Sequence, residues 1–250
     1  MPPSKAVNPF GRGNEMKALV VSATPEPQSF VASMARTSCE VLERKGYEVA
    51  TSNLYQMNWN PVASADDFGR RANPNYLTYA LEQRNGVQTQ TIAQDIQQEL
   101  DKLMAADLLV LNFPIYWFST PAILKGWIDR VLVSGTAYGG KRIYDKGGLT
   151  GKKALVGAAL GGRPHMFAPD GIHGPVHDML RHLLRGTLGY CGMGVPQPFF
   201  AWHVPYITPE ARDEMMADYI AHLESVEDLP LMEFPHMADF SETMEPIRKQ

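Results

Sequence analysis

The chain has 250 residues, 44% of them hydrophobic and 20% charged, which excludes a disordered polyelectrolyte and leaves room for one large core. A formal net charge of −4 supplies no basic stripe to displace counterions from a nucleic-acid backbone. No apolar run approaches membrane-spanning length, so neither a nucleic-acid partner nor a membrane span is expected.

Taken in chain order, the opening MPPSKAVNPFGRGNEMK lacks the apolar segment of a secretory signal and reads as a disordered leader over 1–15. KALVVSA (17–23) is a continuous apolar run, as expected of a strand buried on both faces. Phe30, Met34, Val41 and Leu42 then recur at helical spacing, with Gly46 as a stop. EVATSNL (48–54) reads as a second strand. The stretch from 55 to about 90, rich in Asn, Pro, Asp and Gly, reads as an unusually long connection of a kind that often carries function. A helix over 92–106 leads to a third strand, DLLVLNF (107–113), and a helix over 120–133 follows. A loop with Tyr138 and Tyr144 precedes the fourth strand, KKALVGAAL (152–160). Val176, Met179, Leu180, Leu183, Leu184 and Leu188 share one helical face, with Pro175 as a first-turn residue. QPFFAWHV (197–204) makes a fifth strand and 209–226 a last helix, leaving an irregular tail over 228–250.

Strands alternating with helices predict a parallel sheet covered on both faces, and five strands suit the flavodoxin-like order 2-1-3-4-5. In that order ligands bind beyond the strand C-termini, so chemistry should gather after strands one, three and four. After the first, Pro25 and Pro27 hold SATPEPQSF extended, and Ser29 is placed to cap a helix whose free amides suit an anion. After the third comes the consecutive cluster Pro114, Ile115, Tyr116, Trp117 and Phe118. Consecutive aromatics cannot all face one side of a regular element, so a flat ligand is a better partner for them than the core alone. After the fourth, Gly161 and Gly162 permit close backbone approach.

Other chemistries find less support. His173 and His177 lie a helical turn apart, but HGPVH lacks the glutamate of a zinc-hydrolase motif and no carboxylates accompany it, so no metal is expected. Histidines 165, 182, 203, 222 and 236 form no constellation and read as surface or structural. There is no nucleophile elbow or phosphate-binding loop of the GxxxxGK type. Cys39 and Cys191, far apart with no CxxC spacing, fit a reducing cytoplasm.

From about Met16 to Arg212 the chain resembles the NAD(P)H:quinone oxidoreductase (DT-diaphorase) family. The likeness rests on PEPQSF, LYQMNWNP, AADLLVLNFPIYWFSTPAILKGWIDRV, YDKG, LGG and GIHG, in that order. The resemblance implies a flavodoxin-like domain over 16–227 and a cytoplasmic homodimer holding FAD, FMN being the less favoured flavin. It implies NAD(P)H as electron donor and two-electron, ping-pong reduction of a quinone or another flat, electron-poor acceptor. Carried over position by position, Thr24, Ser29, Phe30 and Val31 would border the FAD pyrophosphate. Pro114 to Phe118 would lie along the isoalloxazine, and Ala159, Leu160, Gly161 and Gly162 would bring backbone to it. Asp129 and Arg212 match positions near the adenosine. His173 would stand beside the ring's N1–O2 side, and Tyr138 would enter the pocket from a second subunit. Thr24 stands where mammalian members have a histidine, Val31 replaces an asparagine, and Phe167 and Gly140 replace pocket tyrosines. These departures bear on acceptor preference and charge relay. An FMN-dependent azoreductase or quinone reductase, and a flavodoxin-like regulatory subunit of a potassium-efflux transporter, are the competing readings. A small electron-carrier flavodoxin fits less well, because it lacks the long 55–90 stretch.

Overall fold

The computed structural model describes residues 16–247, so the expected leader over 1–15 and the last three residues lie outside it. Five parallel strands, β1 (Lys17–Ser22), β2 (Glu48–Asn53), β3 (Leu108–Pro114), β4 (Lys153–Ala159) and β5 (Phe199–Ala201), pair in the order β2-β1-β3-β4-β5. The expected order is therefore the observed one.

Because side chains alternate along a strand, β1 sends Leu19 and Val21 to one face and Ala18 and Val20 to the other. The first face packs on α3 (Gln94–Ala105) and α4 (Ala122–Val131) through Leu100, Leu103, Leu124 and Trp127. The second packs on α1 (Phe30–Arg44) and α7 (Pro209–Glu224) through Met34, Leu42, Tyr219 and Leu223. One polar group crosses this second layer. Asn112 Nδ2 donates to Tyr219 Oη at 2.8 Å, and the Ser38 and Tyr219 hydroxyls are also 2.8 Å apart, so the buried amide is satisfied.

Three expectations need correcting. The 55–90 stretch is not all loop: it contains α2 (Tyr79–Thr89). That helix has no apolar stripe, because polar side chains hold it in place. Glu82 accepts the Ala72 and Asn73 amides at 2.7 and 2.9 Å, and Gln83 bonds Ser134 N and Asp129 O. The same excursion is fastened to α4 by Arg130, which is 3% exposed and pairs with Asp67 and Asp95, each at 2.7 Å, beneath Trp59. Close approach sets the seam: a Cβ at Gly126 would fall 2.2 Å from Pro61 O. Second, the helix expected after Pro175 is broken into α5 (Val176–Met179), α6 (Arg181–Leu183) and a π-turn over Leu184–Gly189, with Pro175 at the N-cap. Its apolar positions still face inward, which is why their spacing looked continuous. Third, β5 has three residues rather than eight, because the chain turns away at His203, whose φ is 57°.

The tail over 228–247 is irregular but packed. Met232 N donates to Val195 O at 2.8 Å, and Phe234 lies on Gly189. Among the described residues, no helix is long and apolar enough to cross a membrane.

Candidate active site

All five strands run the same way, so the loops after β1, β3, β4 and β5 emerge at one edge. A cavity of about 280 Å³ opens between them, lined by Thr24, Ser29, Phe30, Val31, Pro114, Tyr116 and Ala159, among others. It adjoins a hollow of about 530 Å³ walled by Trp117, Phe118, Gly162, Phe167 and His173, the two sharing Ile115, Leu160 and Gly161. A third hollow, against α1 and α7, contains Arg212 and shares Phe30 with the first.

The β1 loop enters α1 through Ser29, whose hydroxyl accepts from Ala32 N at 3.1 Å and lies 3.0 Å from Thr24 Oγ1. Glu26 also faces this cavity, but its carboxylate is turned onto the Gln28 amide at 2.8 Å. The aromatic stretch after β3 is a tight two-residue turn. Tyr116 and Ser119 exchange both backbone hydrogen bonds at 3.0 Å, with Trp117 and Phe118 between them at φ 49° and 60°. Turns with two positive φ values normally take Asn-Gly, so two aromatics there store strain of order 1 kcal/mol each. The reward is presentation: Trp117 is 95% exposed, held out of the core at the crevice edge. His182 Nε2 meets Ser119 Oγ at 3.1 Å and braces the turn's exit.

Phe167 is the buried hub of the larger hollow, with ring centroids 5.0 Å from His173, 5.4 Å from Trp202 and 6.4 Å from Phe118. Gly162 must lack a side chain, since a Cβ there would lie 2.4 Å from the Phe167 ring. The His173 imidazole rests against Phe118 and Phe167, while its amide donates to Met166 O at 2.9 Å. The helix start behind it, α5, is a single turn.

Two further observations fit a flavin. Among the described residues, the amides of Trp117, Phe118, Gly161 and Gly162 donate to no protein acceptor, so four donors border one apolar cavity. Aromatic and aliphatic surfaces flank it, as a planar ring requires.

Two expected residues do not line this chain's own crevice. Asp129 is exposed on α4 and ion-paired with Lys125 at 2.6 Å, away from the crevice. Tyr138 packs against Tyr190, at 5.8 Å, outside this chain's own crevice. Conversely, His203, Val204, Pro205 and Tyr206 line the site and were missed, although the topology that pointed to three loops applies equally to the loop after β5. His203 is no bystander: its Nδ1–H donates to Gly161 O at 2.7 Å and its amide to Gly162 O at 2.9 Å, pinning the glycine loop. Among the described residues, no three His, Cys, Asp or Glu side chains gather as a metal site would require.

Comparison with known proteins agrees with this geometry. Residues 16–224 match a family model described as having a flavodoxin-like fold. The mouse ribosyldihydronicotinamide dehydrogenase [quinone] is 38% identical over 211 residues, covering 84% of this chain and 91% of that protein. The rat NAD(P)H dehydrogenase [quinone] 1 is 38% identical over 217 residues, covering 86% and 79% respectively. A Klebsiella pneumoniae structure described as a quinone reductase superposes with a TM-score of 0.85 at 30% identity, covering 90% of this chain and 91% of its own. With a sheet of the expected order, an aromatic-walled crevice at its C-terminal edge and relatives of this closeness, the chain belongs to the flavodoxin-like NAD(P)H:quinone oxidoreductase family.

Proposed function

We propose that the protein is a flavin-dependent NAD(P)H:quinone oxidoreductase that holds FAD and works as a cytoplasmic homodimer. The observation that carries the reading is the convergence of four unpartnered amides with aromatic and aliphatic walls on one cavity. The hollow containing Arg212 favours FAD over FMN, because it adjoins the first cavity on the side away from His173 and gives an adenosine somewhere to lie.

A bound flavin supplies the redox chemistry, taking a hydride equivalent from the nicotinamide and passing two electrons to the quinone. The chain supplies placement and electrostatics. The Gly161 and Gly162 amides would hold the ring, and the loop entering α1 at Ser29 would hold the phosphates. Trp117 and Phe118 would confine the ring edge and leave one hollow for donor and acceptor to occupy in turn, as a ping-pong cycle would need. Negative charge on the N1–O2 side of a bound ring would need a hydrogen-bond donor, and the His173 imidazole, in the wall of the larger hollow, would serve as one. Phe167 has no hydroxyl to share this duty, so His173 and the loop amides would carry it.

The homodimer is supported by what the crevice leaves bare. Trp117 and Tyr206, in the wall of the larger hollow, are 95% and 72% exposed, and Tyr138 lies outside this chain's own crevice. The cytoplasmic assignment is supported by two unpaired cysteines, with burial pushing the Cys191 thiol up to about 12. Mass spectrometry of the released flavin and light scattering of the native protein test the FAD and homodimer assignments. FMN alone, or a fully active monomer, would refute the corresponding part.

A further inference from the structure

The hollow beside Phe167 is lined by three basic groups, Arg163, His173 and His203, and by no carboxylate. Arg163 stands at the exposed start of the 3₁₀ turn Pro164–Phe167. Its amide approaches Met166 Sδ at 3.5 Å, but among the described residues its guanidinium makes no ion pair and donates no hydrogen bond. The His203 ring is fixed by its bond to Gly161 O, which leaves Nε2 for a ligand. One carboxylate, Glu26, lines the adjoining cavity, where it is engaged with the Gln28 amide.

An uncommitted guanidinium next to apolar and aromatic walls suits a ligand that is flat at one end and anionic at the other, because Arg recognises phosphate, carboxylate and sulfonate by paired donors. We propose that Arg163, with His203 beside it, is a specificity-determining residue that favours ligands carrying an anionic group next to the planar ring. The proposal rests on the reading of the crevice as a flavin and acceptor site. The anion has two possible sources: the pyrophosphate of a nicotinamide dinucleotide, or an acidic substituent on the acceptor.

Two matched pairs separate these sources. Steady-state kcat/KM is measured for the parent, Arg163→Gln and Arg163→Lys with NADH against 1-benzyl-1,4-dihydronicotinamide as donors. It is measured again with 1,2-naphthoquinone-4-sulfonate against 1,2-naphthoquinone as acceptors. Loss of one charge-assisted contact should lower the charged-over-neutral ratio roughly tenfold in Arg163→Gln, with Arg163→Lys recovering most of it. The pair in which the ratio falls names the source. A ratio unchanged in both pairs, or equal losses for charged and neutral partners, would overturn the proposal. Failure of the oxidoreductase reading is seen separately, as absent turnover with the neutral pair. In that event, calorimetric Kd values of the two naphthoquinones for the purified protein give the same ratio and decide by the same criterion.

Discussion

Replacing Gly162 by alanine tests the packing that shapes the site. The added methyl would lie 2.4 Å from Phe167 Cε2 and 3.1 Å from its Cζ, so the ring must move. Phe167 is enclosed by His173, Trp202 and Phe118, and its open direction is the hollow itself. Overpacking of this kind costs about 1–3 kcal/mol, and a ring that can yield into open space belongs at the lower end. For a chain of this size each kcal/mol is worth about 2–4 °C, so Tm should fall by roughly 2–8 °C. The displaced ring should also weaken flavin affinity. Gly161→Ala is the internal control, because its methyl meets only Tyr206 Cε2 at 3.6 Å, an ordinary contact. Thermal unfolding of the flavin-free forms and flavin titration by fluorescence quenching read the two effects. Phe167→Leu in the Gly162→Ala background should return part of the lost stability by removing the clashing ring edge. Equal Tm for the Gly161 and Gly162 variants, with no loss of flavin affinity in the latter, would refute the packing argument.

Trp117→Ala should change apo stability by no more than about 0.5 kcal/mol, since the side chain is exposed, while flavin or quinone affinity falls; a loss of about 3–5 kcal/mol would mean a core residue. Trp117→Gly should lose the same affinity yet be at least as stable as the alanine variant, because glycine relieves the φ of 49°. Asp67→Asn should cost about 3–5 kcal/mol at neutral pH by leaving buried Arg130 short of its partner, as read by urea titration. Burial alone would raise the Asp67 pKa, but hydrogen bonds from Arg130, Tyr79 and the Ser64 amide outweigh it and hold it below 3.8. Its contribution to stability is therefore complete above about pH 4 and lost as pH falls further, so the variant should lack that part of the acid limb. His173→Ala should slow hydride transfer in stopped flow by ~10- to 1,000-fold, with a smaller change in nicotinamide binding. A wild-type rate would remove His173 from the mechanism.

The sheet was legible because its strands are short apolar runs separated by helical spacing, a pattern that leaves few alternatives. The crevice followed from strand order alone. What escaped was held together by polar or irregular means. α2 is fixed by Glu82 and Gln83 rather than by an apolar face, and periodicity is blind to such contacts. The breaks after Pro175 preserve an inward apolar face, so the spacing could not reveal them. His203 looked structural because its role depends on a left-handed turn and on a carbonyl 42 residues away. The strain in the aromatic turn was equally invisible, since Trp-Phe carries none of the glycine or asparagine that marks such turns.

A flavin in this crevice would mediate electron flow from a nicotinamide to a quinone. Anaerobic spectroscopy of the protein loaded with FAD tests it in one sequence of additions. NAD(P)H should bleach the bound flavin's visible absorbance, and one equivalent of a quinone should then restore it. A protein that binds no flavin, or whose bound flavin neither bleaches with NAD(P)H nor recovers with quinone, would not be a flavin-dependent quinone reductase.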